Sequence, residues 1–118
     1  MGKMIELTAA DGHKLAAYRA DPQGRARGAI VVIQEIFGVN SHIKGVADGF
    51  AADGYVAIAP AMFDRAQRGY DTGYSPQDIE AGRAIMQKLD WKNTSFLDGT
   101  GRPMPMLTDG EPIKELVG

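Results

Sequence analysis

The stretch that most constrains this chain is Gly28 to Gly38, GAIVVIQEIFG, where an apolar run ends in a carboxylate and a glycine turn. Ala29 to Ile33 are consecutive apolar residues, mostly β-branched, which suits a strand buried on both faces rather than one alternating between core and water. Gln34, Glu35 and Gly38 then break the run, and Asn40 or Ser41 is placed to cap a helix. A strand running into a loop and a helix N-terminus is where α/β proteins gather ligand-binding groups. Any chemistry is therefore expected at Glu35 and the backbone beside it.

The elements around this stretch follow from periodicity. Ile5 and Leu7 alternate with Glu6 and Thr8, Asp11-Gly12 marks a turn, and Leu15 and Ala17 resume the alternation until Asp21-Pro22 breaks it, which predicts a β-hairpin. His13 beside the turn reads as an exposed polar residue. Residues 21 to 27 form a polar loop. From Ser41 to Asp53, Ile43, Val46, Ala47, Phe50 and Ala51 recur at helical spacing, with Gly54 as the stop. Gly45 and Gly49 inside this helix each cost about 1 kcal/mol relative to Ala, which suggests close packing on the sheet. His42 in its first turn is either a surface residue or one facing a ligand beside Glu35.

Tyr55 to Ala59 is a second buried-strand run, stopped by Pro60. Strand, helix and strand with short links imply a parallel pair. Residues 61 to 74 are irregular and polar. Ser75-Pro76-Gln77-Asp78 supplies a cap, a first-turn proline and an acid for a helix over 76 to 90, with Ile79, Met86 and Leu89 on one face. Residues 92 to 118 show no sustained period and read as an irregular tail with one short strand near 104 to 107. The expected class is α/β: an N-terminal hairpin, then a short parallel βαβ sheet with flanking helices.

Composition narrows the function classes. The 118 residues are 44% hydrophobic, enough for one domain with a modest core. A net charge of -2 with scattered Lys and Arg leaves no basic footprint for nucleic acid or an anionic membrane surface. The chain has no cysteine, which excludes disulfides, thiolate metal sites and thiol catalysis from its own residues. No apolar run is long enough to span a bilayer and no leader pattern opens the sequence, so a cytoplasmic location is expected.

Glu35 follows a buried strand, so partial desolvation is expected to raise its pKa and make it a general base or a group controlling a nucleophile's proton. The alternative is a carboxylate satisfied by neighbouring backbone N–H groups, and the residues leave both open. The N–H groups of Ile36 and Phe37 could polarise a carbonyl oxygen. A nucleophile is missing. Gly73-Tyr74-Ser75 imitates half of a G-x-S-x-G elbow, but no strand precedes it and Pro76 lacks the N–H that the residue after such a serine must supply. Ser75 and Ser41 read as helix caps, and Ser95 lies in the featureless tail. Two distant histidines without an acid at ligand spacing make no metal signature, so no metal or other cofactor is expected.

DGHKLAAY at 11 to 18, VVIQEIFGVN at 31 to 40, DGYVAIAPAMFDR at 53 to 65 and PQDIEAG at 76 to 82 carry a resemblance. On these stretches residues 5 to 91 resemble the N-terminal half of the dienelactone hydrolase family, the carboxymethylenebutenolidases, within the α/β-hydrolase fold. The resemblance implies hydrolysis of lactones and related esters, without a metal, by a Cys, His and Asp triad. It assigns to Glu35 the control of the nucleophile's proton and to Ile36 an oxyanion N–H. Phe37 and Arg83 are the implied substrate-binding residues, Arg83 lying near the family's carboxylate-binding arginine but not aligned without a shift.

The family continues with a further helix and strand, a G-x-C-x-G-G elbow, and later the aspartate and histidine, none of which this sequence contains. Residues 92 to 118 do not resemble that continuation, so the expectation is a truncated or frameshifted frame, a fragment, or an unrelated end. The strand of residues 29 to 34 would then expose an apolar edge, expected to pair with a second copy or with residues 104 to 107. Two readings compete: a carboxylic ester hydrolase by descent that is inactive as an isolated chain, and a non-catalytic fragment or binding module that keeps the Glu35 pocket.

Overall fold

Strand ends in this protein are set by which backbone groups still find partners. The computed structural model describes residues 2–9 and 11–89. Strands β1 (Lys3–Thr8) and β2 (Lys14–Ala20) form the expected hairpin, with Ile5 opposite Ala17 and Leu7 opposite Leu15. Then come β3 (Ala29–Val31), α1 (Ser41–Ala52), β4 (Val56–Pro60), a 3-10 turn at Met62–Arg65, and α2 (Pro76–Lys88). The sheet order is β1-β2-β4-β3, antiparallel except for the β3–β4 pair, which is parallel as the strand-helix-strand pattern predicted.

β3 is shorter than its apolar run. Val32 N–H still bonds the Ile58 carbonyl at 2.8 Å, but the next rung would need an N–H from position 60. Position 60 is Pro60, which has none, so the ladder stops before Ile33. Pro60 is itself the last residue of β4, paired with Ala17 across the sheet, and does not lie outside the strand as the sequence suggested.

The core between sheet and α1 is made largely of small residues. Ala20, Ala47, Ala57 and Ala59 are fully buried, and around them pack Tyr18, Ile30, Val32, Ile43 and Tyr55. Alanine on facing surfaces lets the helix axis approach the sheet closely. The helix glycines have no part in this: a methyl group at Gly45 or Gly49 would meet none of the described residues within 4 Å, which corrects the packing role expected for them. Their side of the helix faces outward because Ile43, Ala47 and Ala51 carry the buried stripe. On α2 the buried positions are Gly82 and Ile85, while Met86, expected on the apolar face, is 37% exposed.

Local capping explains both helix starts. The Asn40 side chain accepts the Ile43 N–H at 3.1 Å, selecting Asn40 over Ser41 as the cap of α1. Ser75 and Asp78 form a reciprocal capping box with Pro76 at the first helical position of α2, as expected.

Side chains tie the hairpin to the rest. The Tyr18 hydroxyl donates to Asp48 on α1 at 2.7 Å, and this bond, which needs the phenol protonated, raises the Tyr18 pKa. Asp11 and Arg65 make a two-point ion pair, N–O distances 2.8 and 2.9 Å, between the hairpin turn and the 3-10 turn. Buried Asp64 accepts the N–H groups of Ala16 and Gly69 at 2.8 and 3.1 Å, which orders the segment expected to be irregular. His13 differs from expectation: it is half-buried, and its Nε2 is enclosed without a partner among the described residues.

Among the described residues β3 pairs with β4 alone. The strand expected near 104 to 107, Ser95, and the end of the second helix at Asp90 lie outside the described residues. No helix among the described residues is long and apolar enough to cross a membrane.

Candidate functional site

The corner from Gln34 to Gly38 leaves the sheet at the end of β3 and turns back before α1. Its first residue is an anchor. Gln34 is 9% exposed; its Oε1 accepts the Met62 N–H at 2.8 Å and its Nε2 donates to the Glu35 carbonyl at 3.0 Å, joining the exits of β3 and β4. Gly38 N–H donates to the same Glu35 carbonyl at 3.2 Å and closes the turn. Gly38 has a φ of +86°, and a methyl group there would stand 1.9 Å from the Tyr70 carbonyl oxygen, so neither its conformation nor its surroundings admit a side chain. Thr72 N–H holds the Phe37 carbonyl at 3.0 Å, so the corner is bridged to the loop before α2.

The carbonyls of Glu35 and Phe37 are thus engaged, while the N–H groups of Ile36 and Phe37 have no partner among the described residues. Adjacent unpartnered amides in a corner beyond a parallel strand can donate to an anionic or polarised oxygen. Such amides are otherwise costly to leave in a half-buried position.

Glu35 itself faces outward, its side chain 53% exposed, with Oε1 4.0 Å from Nε2 of His42 on the first turn of α1. The desolvation expected of Glu35 is therefore not supplied by the described residues. Gln34 turns inward to its anchoring bonds, and alternation sends the next side chain the other way. His42, itself 60% exposed, is both a surface residue and Glu35's neighbour. Phe37 stacks edge-on against Tyr74, ring centroids 4.5 Å apart, and the Tyr74 hydroxyl accepts from the Asn40 side chain at 3.1 Å. Arg83 is exposed on α2, directly after buried Gly82, and forms no ion pair with the described residues.

The structure thus gathers Glu35, Ile36, Phe37 and His42 at one corner, and adds residues that sequence reasoning missed. Gln34 carried a signal: a polar residue at the end of a strand buried on both faces must have its side-chain bonds supplied inside. Tyr74 carried none, since its partners Phe37 and Asn40 are distant in sequence. A separate cavity of about 310 Å³ touches Asp21, Ala51 and Gly54 at the far end of α1. With α1 roughly 18 Å long, that cavity is remote from Glu35. Among the described residues no three His, Asp or Glu side chains gather where they could hold a metal ion.

The sequence profile of the dienelactone hydrolase family matches residues 15–101. A Synechocystis sp. protein with the provisional name carboxymethylenebutenolidase is 49% identical over 73 residues, covering 61% of this chain and 30% of that protein. The carboxymethylenebutenolidase of Pseudomonas putida is 33% identical over 97 residues, 82% of this chain and 39% of the relative. The crystal structure of a provisionally named dienelactone hydrolase from Klebsiella pneumoniae superposes with a TM-score of 0.50 at 30% identity, over 69% of this chain and 35% of that one. The chain therefore spans between 30% and 39% of the length of these relatives.

Proposed function

This chain belongs to the dienelactone hydrolase family, and from that membership we propose that it supplies the accessory part of a carboxylic ester or lactone hydrolysing site without turning substrate over by itself. The single observation that carries this reading is the corner, where Glu35 sits beside the unpartnered N–H groups of Ile36 and Phe37 at the end of β3. Ester hydrolysis needs an attacking group, a group that manages its proton, and donors that stabilise the oxygen on which negative charge develops. Glu35 takes the second role and Ile36 N–H the third. The ring of Phe37, with Tyr74 against it, offers an apolar wall to the substrate, and Arg83 on α2 offers a cation for a substrate carboxylate.

The first role has no candidate among the described residues: the sequence contains no cysteine, and Ser41 and Ser75 belong to helix starts. A chain presenting the corner alone binds a small neutral lactone weakly and leaves it intact. No cofactor enters this scheme, and the site of action is the cytoplasm. The second edge of β3 is where another chain adds to the sheet, a second copy being the simplest. Light scattering at rising concentration then reports a dimer that Val31→Pro abolishes.

Turnover of p-nitrophenyl acetate by the purified chain, wild type against Glu35→Ala, tests the reading. The expected result is no burst and no steady rate above buffer in either protein. Hydrolysis by the wild type that Glu35→Ala removes would overturn it and would mean that an attacking group operates in this chain.

A further inference from the structure

α2 meets the corner through Gly82. A methyl group on that residue would stand 2.3 Å from the Ile36 carbonyl oxygen and 3.1 Å from the carbonyl carbon. The oxygen is the nearer atom, so the Ile36 carbonyl is aimed at α2. Described peptide bonds are all trans, and in a trans peptide the N–H points opposite to the C=O across the same bond. Phe37 N–H is thereby turned away from α2. The preceding peptide is oriented in the same manner: Gly38 N–H and the Gln34 side chain hold the Glu35 carbonyl, which sends Ile36 N–H the opposite way.

Gly82 is buried while Ala81, Arg83 and Ala84 around it are exposed, so α2 meets its surroundings along the face of Gly82 and Ile85. Any larger residue would push α2 off the Ile36 carbonyl or rotate the Ile36–Phe37 peptide. A helix interior is also where glycine is least favoured, and no left-handed backbone at Gly82 calls for one. Contact with the corner is what its small size serves.

We propose that Gly82 is a positioning residue: by letting α2 close on the Ile36 carbonyl it fixes the Ile36–Phe37 peptide plane and so aims the Phe37 N–H, beside that of Ile36, at the carbonyl oxygen of a bound ester or lactone. This rests on the oxyanion role proposed above for Ile36 N–H and adds Phe37 N–H as a second donor whose direction α2 sets. Because Arg83 follows Gly82 on the same helix, one docking event also places that cation relative to the amides.

Amide NMR on the full 118-residue chain tests this, with γ-butyrolactone as a neutral carbonyl probe. Gly82→Ala is compared with Gly45→Ala, the same change on a helix face with open space. The expected outcome is that Gly82→Ala moves the Phe37 amide resonance and abolishes its shift on adding lactone, while Gly45→Ala preserves both. A purely structural Gly82 would lower the melting temperature and leave that resonance and its lactone response unchanged, which would overturn the proposal. Wild-type protein provides a measurement independent of variant folding: a nuclear Overhauser contact between the Gly82 α-protons and the Ile36 side chain is required, and its absence would equally overturn it. Wild-type amides that ignore the lactone would defeat the oxyanion reading, whereas the position of the Gly82→Ala resonances would still decide whether α2 sets the peptide plane.

Discussion

Gly45 and Gly49 on α1 and Gly38 and Gly82 at the corner are alike as letters in the sequence, yet they meet opposite surroundings. The first pair lies on an exposed helix face where an added methyl group would meet none of the described residues within 4 Å, while Gly38 and Gly82 lie against the backbone oxygens of Tyr70 and Ile36. What differs is who packs against the backbone. On α1 the sheet is met by alanines, so the glycines add only conformational freedom to the unfolded chain. At the corner, backbone meets backbone and the missing side chain is what permits contact.

The largest expected effect falls on Gly38. Its φ of +86° and the 1.9 Å approach to the Tyr70 oxygen mean that Gly38→Ala combines backbone strain with a clash against main chain. A loss of about 3 kcal/mol or more in urea unfolding is expected, the sum of a left-handed penalty and overpacking. A midpoint unchanged from wild type would break the comparison on its tight side.

Gly45→Ala and Gly49→Ala go the other way. Each should stabilise the protein by up to about 1 kcal/mol, seen as a higher urea midpoint at constant slope. Destabilisation by either would show that their face is covered, and the contrast with Gly82 would disappear.

The smallest effect is electrostatic and sits away from both pairs. The Arg65 guanidinium, followed by the His13 N–H, holds the Asp11 carboxyl down from 3.8 to about 2. Because its pKa is depressed by folding, the pair's contribution is fully present above about pH 4 and is lost as pH falls through about 2. Asp11→Asn should therefore lower the melting temperature slightly near neutral pH, with the difference from wild type vanishing toward pH 2. Both partners are about half exposed, so this change stays below that of any glycine above.

Much of the fold was legible because its signals are local. Alternation gave away the hairpin, Ser75 and the Asn40-Ser41 pair announced the helix starts, and the YVAIA run marked β4 as a buried strand. The misreadings concern partners distant in sequence. β3 ended early because its neighbour ends in Pro60, and Gly45 and Gly49 were credited with packing that Ala47 and Ala51 perform. Glu35 was expected to be desolvated, but Gln34 took the inward position. At the site, QEIFG was recognisable as a unit, whereas Tyr74 and Gly82 joined it only through the return of the chain.

The sequence by itself determined where strands and helices begin, that the chain is α/β, and that the carboxylate and amides of the corner stand together, because those properties depend on neighbours within a turn or a strand. Only the tertiary structure decided which glycines are indispensable, which side chain of Gln34 and Glu35 turns inward, and which carbonyls are held while the amides of Ile36 and Phe37 keep no partner among the described residues. Those outcomes depend on oxygen and nitrogen atoms brought together from segments tens of residues apart, and no local pattern encodes that distance.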